Sequence, residues 1–129
     1  MPLKLQARFL LLFGRVLGWF HCYGPALRFF RLASNICPQS ATVHCWIGWA
    51  NQHLEKDADA LDSFDRALGV VPTYAHAHAQ KGRLLTRLGQ HKEAVDELLR
   101  AGRSDPQYQT RREFLLALGS AYGHLDLME

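Results

Sequence analysis

Three cysteines, seven histidines and twelve acidic residues are the side chains here that could carry catalytic or metal chemistry. Their spacing argues against it. Cys22, Cys37 and Cys45 form no C-x-x-C pair, which excludes a zinc ribbon, and their odd number excludes a closed disulfide framework. His44 adjoins Cys45, but neighbours on a helix point in different directions, so no thiolate–imidazole pair is expected. His76 and His78 are two apart and His-x-x-x-His does not occur, so no pair of histidines shares a helical face at ligating distance. The stretch Asp57-Ala58-Asp59-Ala60-Leu61-Asp62 looks faintly like a calcium loop. It fails, because Asp62 stands where that loop needs glycine and Leu68 where it needs glutamate. Acids there favour the positive end of a helix instead. No G-x-S-x-G, P-loop or G-x-G-x-x-G is present. The expectation is a non-enzyme with no cofactor and no metal, its thiols unpaired in a reducing, cytoplasmic compartment.

The elements that would position any functional side chain follow from a repeat. Pro38, Pro72 and Pro106 are 34 residues apart. Gly14, Gly48 and Gly82 fall in the same register, as do Ala26, Ala60 and Ala94. So do Ala33, Ala67 and Ala101, and the row Phe30, Phe64 and Leu98. Each period has room for two helices of ordinary length. The glycine lies in the first helix, where a missing side chain admits a close neighbour. The alanine and aromatic rows, spaced by 4 and 3, share one face of the second helix. The proline closes it. Turn signals between the helices are Gly24-Pro25, Lys56-Asp57 and Gly89-Gln90. With 129 residues, 48% apolar and 21% charged, the chain is one globular domain able to bury its own core. No apolar run reaches 18 residues.

These rows resemble the tetratricopeptide repeat family, whose pattern is W-x2-L-G-x2-Y, then A-x3-F, then P, at period 34. Ile47-Gly48, Ala60, Phe64, Ala67 and Pro72 carry it in the second repeat. Phe13-Gly14, Ala26, Phe30, Ala33 and Pro38 carry it in the first, and Gly82, Ala94, Leu98, Ala101 and Pro106 in the third. The early tryptophan is replaced by Leu10, His44 and His78, and the tyrosine by Leu17, Asn51 and Leu85. The resemblance spans residues 7–108. It implies an all-α helix-turn-helix solenoid, a right-handed superhelix, with repeats at about 7–40, 41–74 and 75–108. After Pro106 the register slips by three residues, leaving a capping or partial-repeat helix at 109–125. Leu115, Leu116, Leu118, Tyr122, Leu125, Leu127 and Met128 make that last helix apolar on more than one side. Such a helix suits a partner, a self-contact or a continuation of the array.

In this family the first helices of successive repeats line a concave surface that holds a peptide or a partner's helix. The resemblance therefore implies a protein-binding scaffold or adaptor. In this register the groove candidates are Arg15 and Trp19, with Leu11, from the first repeat. Trp46, Trp49 and His53, with Thr42 and Cys45, come from the second, and His76, Gln80, Arg83 and Arg87 from the third. Tryptophan and arginine are the residue types that most often anchor interfaces. Some family members grip a C-terminal carboxylate through lysine, asparagine and arginine. Here those places hold Leu11, Arg15, Trp46, His76 and Gln80, so a ligand mixing acidic with aromatic or aliphatic residues fits better.

Charge is unevenly spread over the net +3. Lys4, Arg8, Arg15, Arg28 and Arg31 precede the first acid of the chain, Glu55. The second repeat is acidic, which argues against nucleic acid. Residues 3–20 are apolar except for Gln6 and a narrow stripe of Lys4, Arg8 and Arg15. Arg15 interrupts the apolar run and the repeat register begins near Ala7, so a cleaved leader is a poor fit. Three readings of this helix stand: packing within the array, a bound partner protein, or peripheral contact with an anionic membrane as an assembly factor.

Overall fold

The computed structural model describes residues 2–128, apart from the side chains of Glu113 and residues 125–128. Among the described residues it is all-α. The helices are α1 (Leu3–Trp19), α2 (Tyr23–Ile36), α3 (Ala41–His53), α4 (Asp57–Val70), α5 (Ala75–Arg87) and α6 (His91–Ser104). A 3-10 turn over Pro106–Thr110 leads to α7 (Arg112–Met128). The chain divides into two compact units, Met1–Val70 with α1 to α4, and Val71–Glu129 with α5 to α7.

Each hairpin is built on the glycine and aromatic rows. The ring of Phe30 lies where a Cβ on Gly14 would stand, and a Cβ added on Gly48 or Gly82 would be 2.6 Å from Phe64 or 2.7 Å from Leu98. Phe30, Phe64 and Leu98 are fully buried, as are all six alanines of the two alanine rows. The small residue therefore admits a large one from the paired helix, and the two rows are halves of one contact. A side chain at any of the three glycines would force the helices apart or expel the facing side chain, at a cost of about 1–3 kcal/mol.

The turns obey the same period. His21, Glu55 and Gly89 adopt left-handed backbone, with φ of 61°, 60° and 85°. In each turn the next amide reaches back to the last turn of the helix: Cys22 N–H to Leu17 O, Lys56 N–H to Asn51 O and Gln90 N–H to Leu85 O, all 2.9 Å. This closes the helix end and satisfies a carbonyl that would otherwise lack a partner. The expected turn at Gly24-Pro25 is corrected: both residues lie inside α2, whose first turn begins at Tyr23. Proline is tolerated there because the first four amides of a helix have no intrahelical acceptor. Asp57 and Asp59 lie in the first turn of α4, where their charge suits the helix dipole.

The histidines at the early-tryptophan position each fasten the loop that leads into their own helix. His44 donates Nε2–H to Pro38 O at 2.8 Å, and His78 does the same to Pro72 O at 2.9 Å. His78 Nδ1 also meets the buried carboxylate of Glu97 at 2.6 Å, tying α5 to α6. Lys81 Nζ and Arg100 Nη1 stand 3.8 and 3.5 Å from the other oxygen of Glu97.

After Pro106 the spacing changes. Ala41 and Ala75 open α3 and α5 three residues after their prolines, whereas Arg112 opens α7 six after Pro106. The 3-10 turn, capped by Asp105 Oδ1 accepting from Gln107 N–H at 3.0 Å, takes up the three extra residues and explains the register slip. Phe114 and Ala121 of α7 are buried, with Phe114 packed among Ala75, Ala79, Leu98, Ala101 and Tyr108. Leu115, Leu116 and Tyr122 remain exposed, so the helix is apolar on its outer side as well. The expectation for Leu125, Leu127 and Met128 lies outside the described side chains.

Candidate binding surfaces

In the first unit, Arg15, Trp46, Trp49 and His53 come together. Trp46 and Trp49 stand one turn apart on α3, their rings 5.4 Å apart and edge to face. Arg15 of α1 places its guanidinium 5.0 Å from the Trp46 ring centre, a cation–π contact. The ring of Trp49 lies against Gly18 of α1, so close that a Cβ there would be 2.6 Å from Cη2 and Cζ3. His53, one turn beyond Trp49, meets it edge-on at 4.7 Å. Tyr23 stacks flat on His53 at 4.4 Å and meets Trp49 at 5.4 Å. Trp46 and Trp49 are half-buried, while Arg15 and His53 are exposed. The indoles thus fill the space between α1 and α3 and keep part of their surface in water. Rings held by so many contacts lose little freedom when a ligand covers them.

Trp19 is not part of this assembly. It is 83% exposed at the end of α1 and makes no ring contact among the described residues. Leu11 is half-buried and packs with the Trp46 and Trp49 cluster. Thr42 is exposed. Cys45, expected on the inner surface, is a correction: it is 3% exposed, and burial pushes its thiol up to about 12. A thiol in that state is neutral and inert at neutral pH. Cys37 is half-buried and Cys22 exposed, and all three are free thiols.

In the second unit, His76, Gln80 and Arg83 occupy one face of α5 at steps of four and three, and line a small cavity of about 40 Å³. Tyr108 and Arg111, from the 3-10 turn and its end, and Phe114 of α7 close it. His76 Nδ1 and the Tyr108 hydroxyl share a hydrogen bond of 2.7 Å. The Arg111 guanidinium lies 4.2 Å over the Tyr108 ring. Burial first, then the positive charges of Arg111 and Arg83, hold His76 below its ordinary value of 6.5. Two guanidinium groups, an amide and an imidazole around one opening suit a carboxylate, which accepts hydrogen bonds and offsets the local positive charge. Arg87 is exposed in the last turn of α5 and does not line this cavity.

Sequence reasoning missed Tyr23, Tyr108, Arg111 and Phe114. Tyr108 had a signal, because it stands 34 residues after Tyr74. Arg111 and Phe114 had none, since the three extra residues remove them from the register. Among the described residues no group of three or more histidines, cysteines or carboxylates is placed to hold a metal ion. No helix is long and apolar enough to cross a membrane.

No family model and no curated protein matches the sequence. Solved structures match its fold. The first TPR (tetratricopeptide repeat) domain of human RPAP3 superposes with a TM-score of 0.88 at 19% identity, over 95% of this chain and 94% of that one. The Arabidopsis OM64 TPR domain gives 0.87 at 18% identity, over 95% and 99%. The second TPR domain of human RPAP3, in complex with the HSP70 peptide SGPTIEEVD, gives 0.82 at 17% identity, over 94% and 98%. The chain has the tetratricopeptide-repeat fold.

Proposed function

We propose that this chain is a non-catalytic module that binds a peptide segment or partner subunit carrying both acidic and apolar side chains. The observation that carries this reading is the ring assembly of Trp46, Trp49, His53 and Tyr23. It is fixed by Arg15 and Gly18 yet leaves both indoles partly open. An aromatic or aliphatic ligand side chain covers the open part, and burial of one such anchor contributes about 2 kcal/mol. The cavity of His76, Gln80, Arg83 and Arg111 takes a ligand carboxylate. Arg87 adds positive charge nearby on the same helix. Structures of the same fold hold acidic peptides, including the HSP90 peptide SRMEEVD on Spaghetti (RPAP3) and the HSP70 peptide on the second RPAP3 domain. That precedent supports peptide binding here, although the lysine and asparagine clamp is absent from this chain.

The test is selection from a displayed library of random peptides. Wild-type protein is expected to enrich sequences pairing Asp or Glu with an aromatic or aliphatic residue. Trp49→Ala and Arg83→Glu, checked for helical content by circular dichroism, are expected to bind the enriched peptides at least about tenfold more weakly. Failure to enrich any peptide, or equal binding by both folded variants, refutes the reading.

A further inference from the structure

A second surface lies on the opposite side of α1 from the face that packs on α2 and α3. Ala7, Gly14 and Gly18 mark the buried side of that helix. At about 100° per residue, the far side carries Trp19, Leu12, Leu5, Val16, Phe9, Phe20 and Phe13 in that angular order, within an arc of roughly 120°. All seven are exposed, from 39% at Leu5 to 83% at Trp19. Six large apolar residues side by side on one helix, with a seventh at its C-terminal cap, exceed the scattered apolar exposure normal for a soluble surface.

The flanks of the arc are basic. Lys4, Arg8 and Arg15 fall on the edge next to Trp19. At the other edge Phe13 meets Phe29 of α2 at 6.1 Å, and α2 continues outward with exposed Leu32 and Arg28. No acid occurs before Glu55, so nothing on α1 or α2 offsets these charges.

We infer that this face of α1 rests on an anionic lipid surface, with its apolar arc at the acyl boundary and Lys4, Arg8 and Arg28 reaching phosphate or carboxylate headgroups. Three observations favour lipid over protein. The arc projects as the ridge of one helix and is not a groove, so a protein partner would have to supply a matching trough, whereas a fluid interface moulds to it. Cations on both flanks of an apolar face are the arrangement of helices lying in the membrane plane, where long basic side chains reach outward to the headgroups. An indole at the margin of the arc matches the preference of tryptophan for the interface. This contact is separate from the Trp46–Trp49 assembly and stands or falls without it.

The test is flotation of the full chain with vesicles of phosphatidylcholine alone, and of phosphatidylcholine with phosphatidylserine. Wild type is expected to float with the serine-containing vesicles, and to be released by salt as surface electrostatics are screened. Lys4→Glu with Arg8→Glu is expected to lower that partition by at least about 25-fold, from roughly fivefold per cation. Phe9→Ser with Leu12→Ser, at positions too exposed to unfold the chain, is expected to abolish it while circular dichroism stays native. Absence of flotation by wild type overturns the inference, and so does equal partition with both vesicle types or unchanged flotation of the two double variants. A self-associated species that Phe9→Ser with Leu12→Ser dissociates, without lipid binding, assigns the face to a second copy and also overturns it.

Discussion

Gly18→Ala offers a direct trial of the ring assembly. The added methyl would stand 2.6 Å from Cη2 and Cζ3 of Trp49. Carbon atoms rest at about 3.5–4.0 Å, so the indole must retreat by about 1 Å or α1 must shift. Trp49 is itself packed on Trp46, Tyr23 and His53, so retreat disturbs three further ring contacts. Overpacking of this kind costs about 1–3 kcal/mol. Replacing glycine by alanine inside a helix recovers about 1 kcal/mol. The net expectation is a loss of about 0–2 kcal/mol. Gly119→Ala, inside α7 with nothing within 4 Å of the added atom, is the matched control and should stabilise by about 1 kcal/mol. Urea unfolding separates the two. The signature of the mechanism is spectral: Gly18→Ala should reduce the near-ultraviolet circular dichroism of the coupled rings, and Gly119→Ala should leave it intact. Gly18→Ala should also weaken the peptides selected by wild type. If it stabilises as much as Gly119→Ala with its ring signal unchanged, the indole is not held as described.

Three further outcomes are expected. Glu55→Gly should stabilise the chain by up to about 1 kcal/mol and Gly89→Ala should destabilise it by a similar amount, because both positions hold left-handed backbone; shifts in the urea midpoint at constant slope check this. His76 has its folded value depressed, so the unfolded state binds the proton more readily, and stability is complete above about 6.5 and lost as the pH falls through the depressed value. Urea midpoints at roughly pH 7.5 and pH 5 should therefore fall more for wild type than for His76→Gln, and equal losses would refute the assignment. A carboxylate bound beside His76 offsets Arg83 and Arg111, so peptide affinity should rise as the pH falls towards 5.5 or so, and a fluorescence titration across that range reads it.

Most of the fold was legible because the period-34 rows are rows of size. Gly48 and Phe64 can be read as small and large from the letters alone, and the structure shows them to be one contact. The left-handed row was not legible, since only Gly89 has the residue type that backbone favours, while His21 and Glu55 tolerate it under the hydrogen bonding of the turn. Pro25 misled for a related reason: a proline in the first turn of a helix and a proline ending one look alike in sequence. Of the residues proposed to bind, helical spacing on α3 and α5 groups Trp46, Trp49 and His53 in one ring cluster and His76, Gln80 and Arg83 around one cavity. Tyr23, Arg111 and Phe114 come from a turn boundary and from beyond the three-residue insertion, where spacing carries no information. Trp19 shows the opposite limit. Its type and register suit the inner surface, yet it stands 83% exposed at the end of α1 and joins none of the ring contacts of Trp46, Trp49 and His53.

The clasps from His44 to Pro38 and from His78 to Pro72 each span six residues. The helix contacts reach further but stay mostly between neighbours in the chain, α1 with α2, α2 with α3, α3 with α4, α5 with α6 and α6 with α7. Few distant segments must find each other, so the entropy of loop closure stays small and relative contact order low. Such a chain can start folding at any one hairpin and grow outward from it.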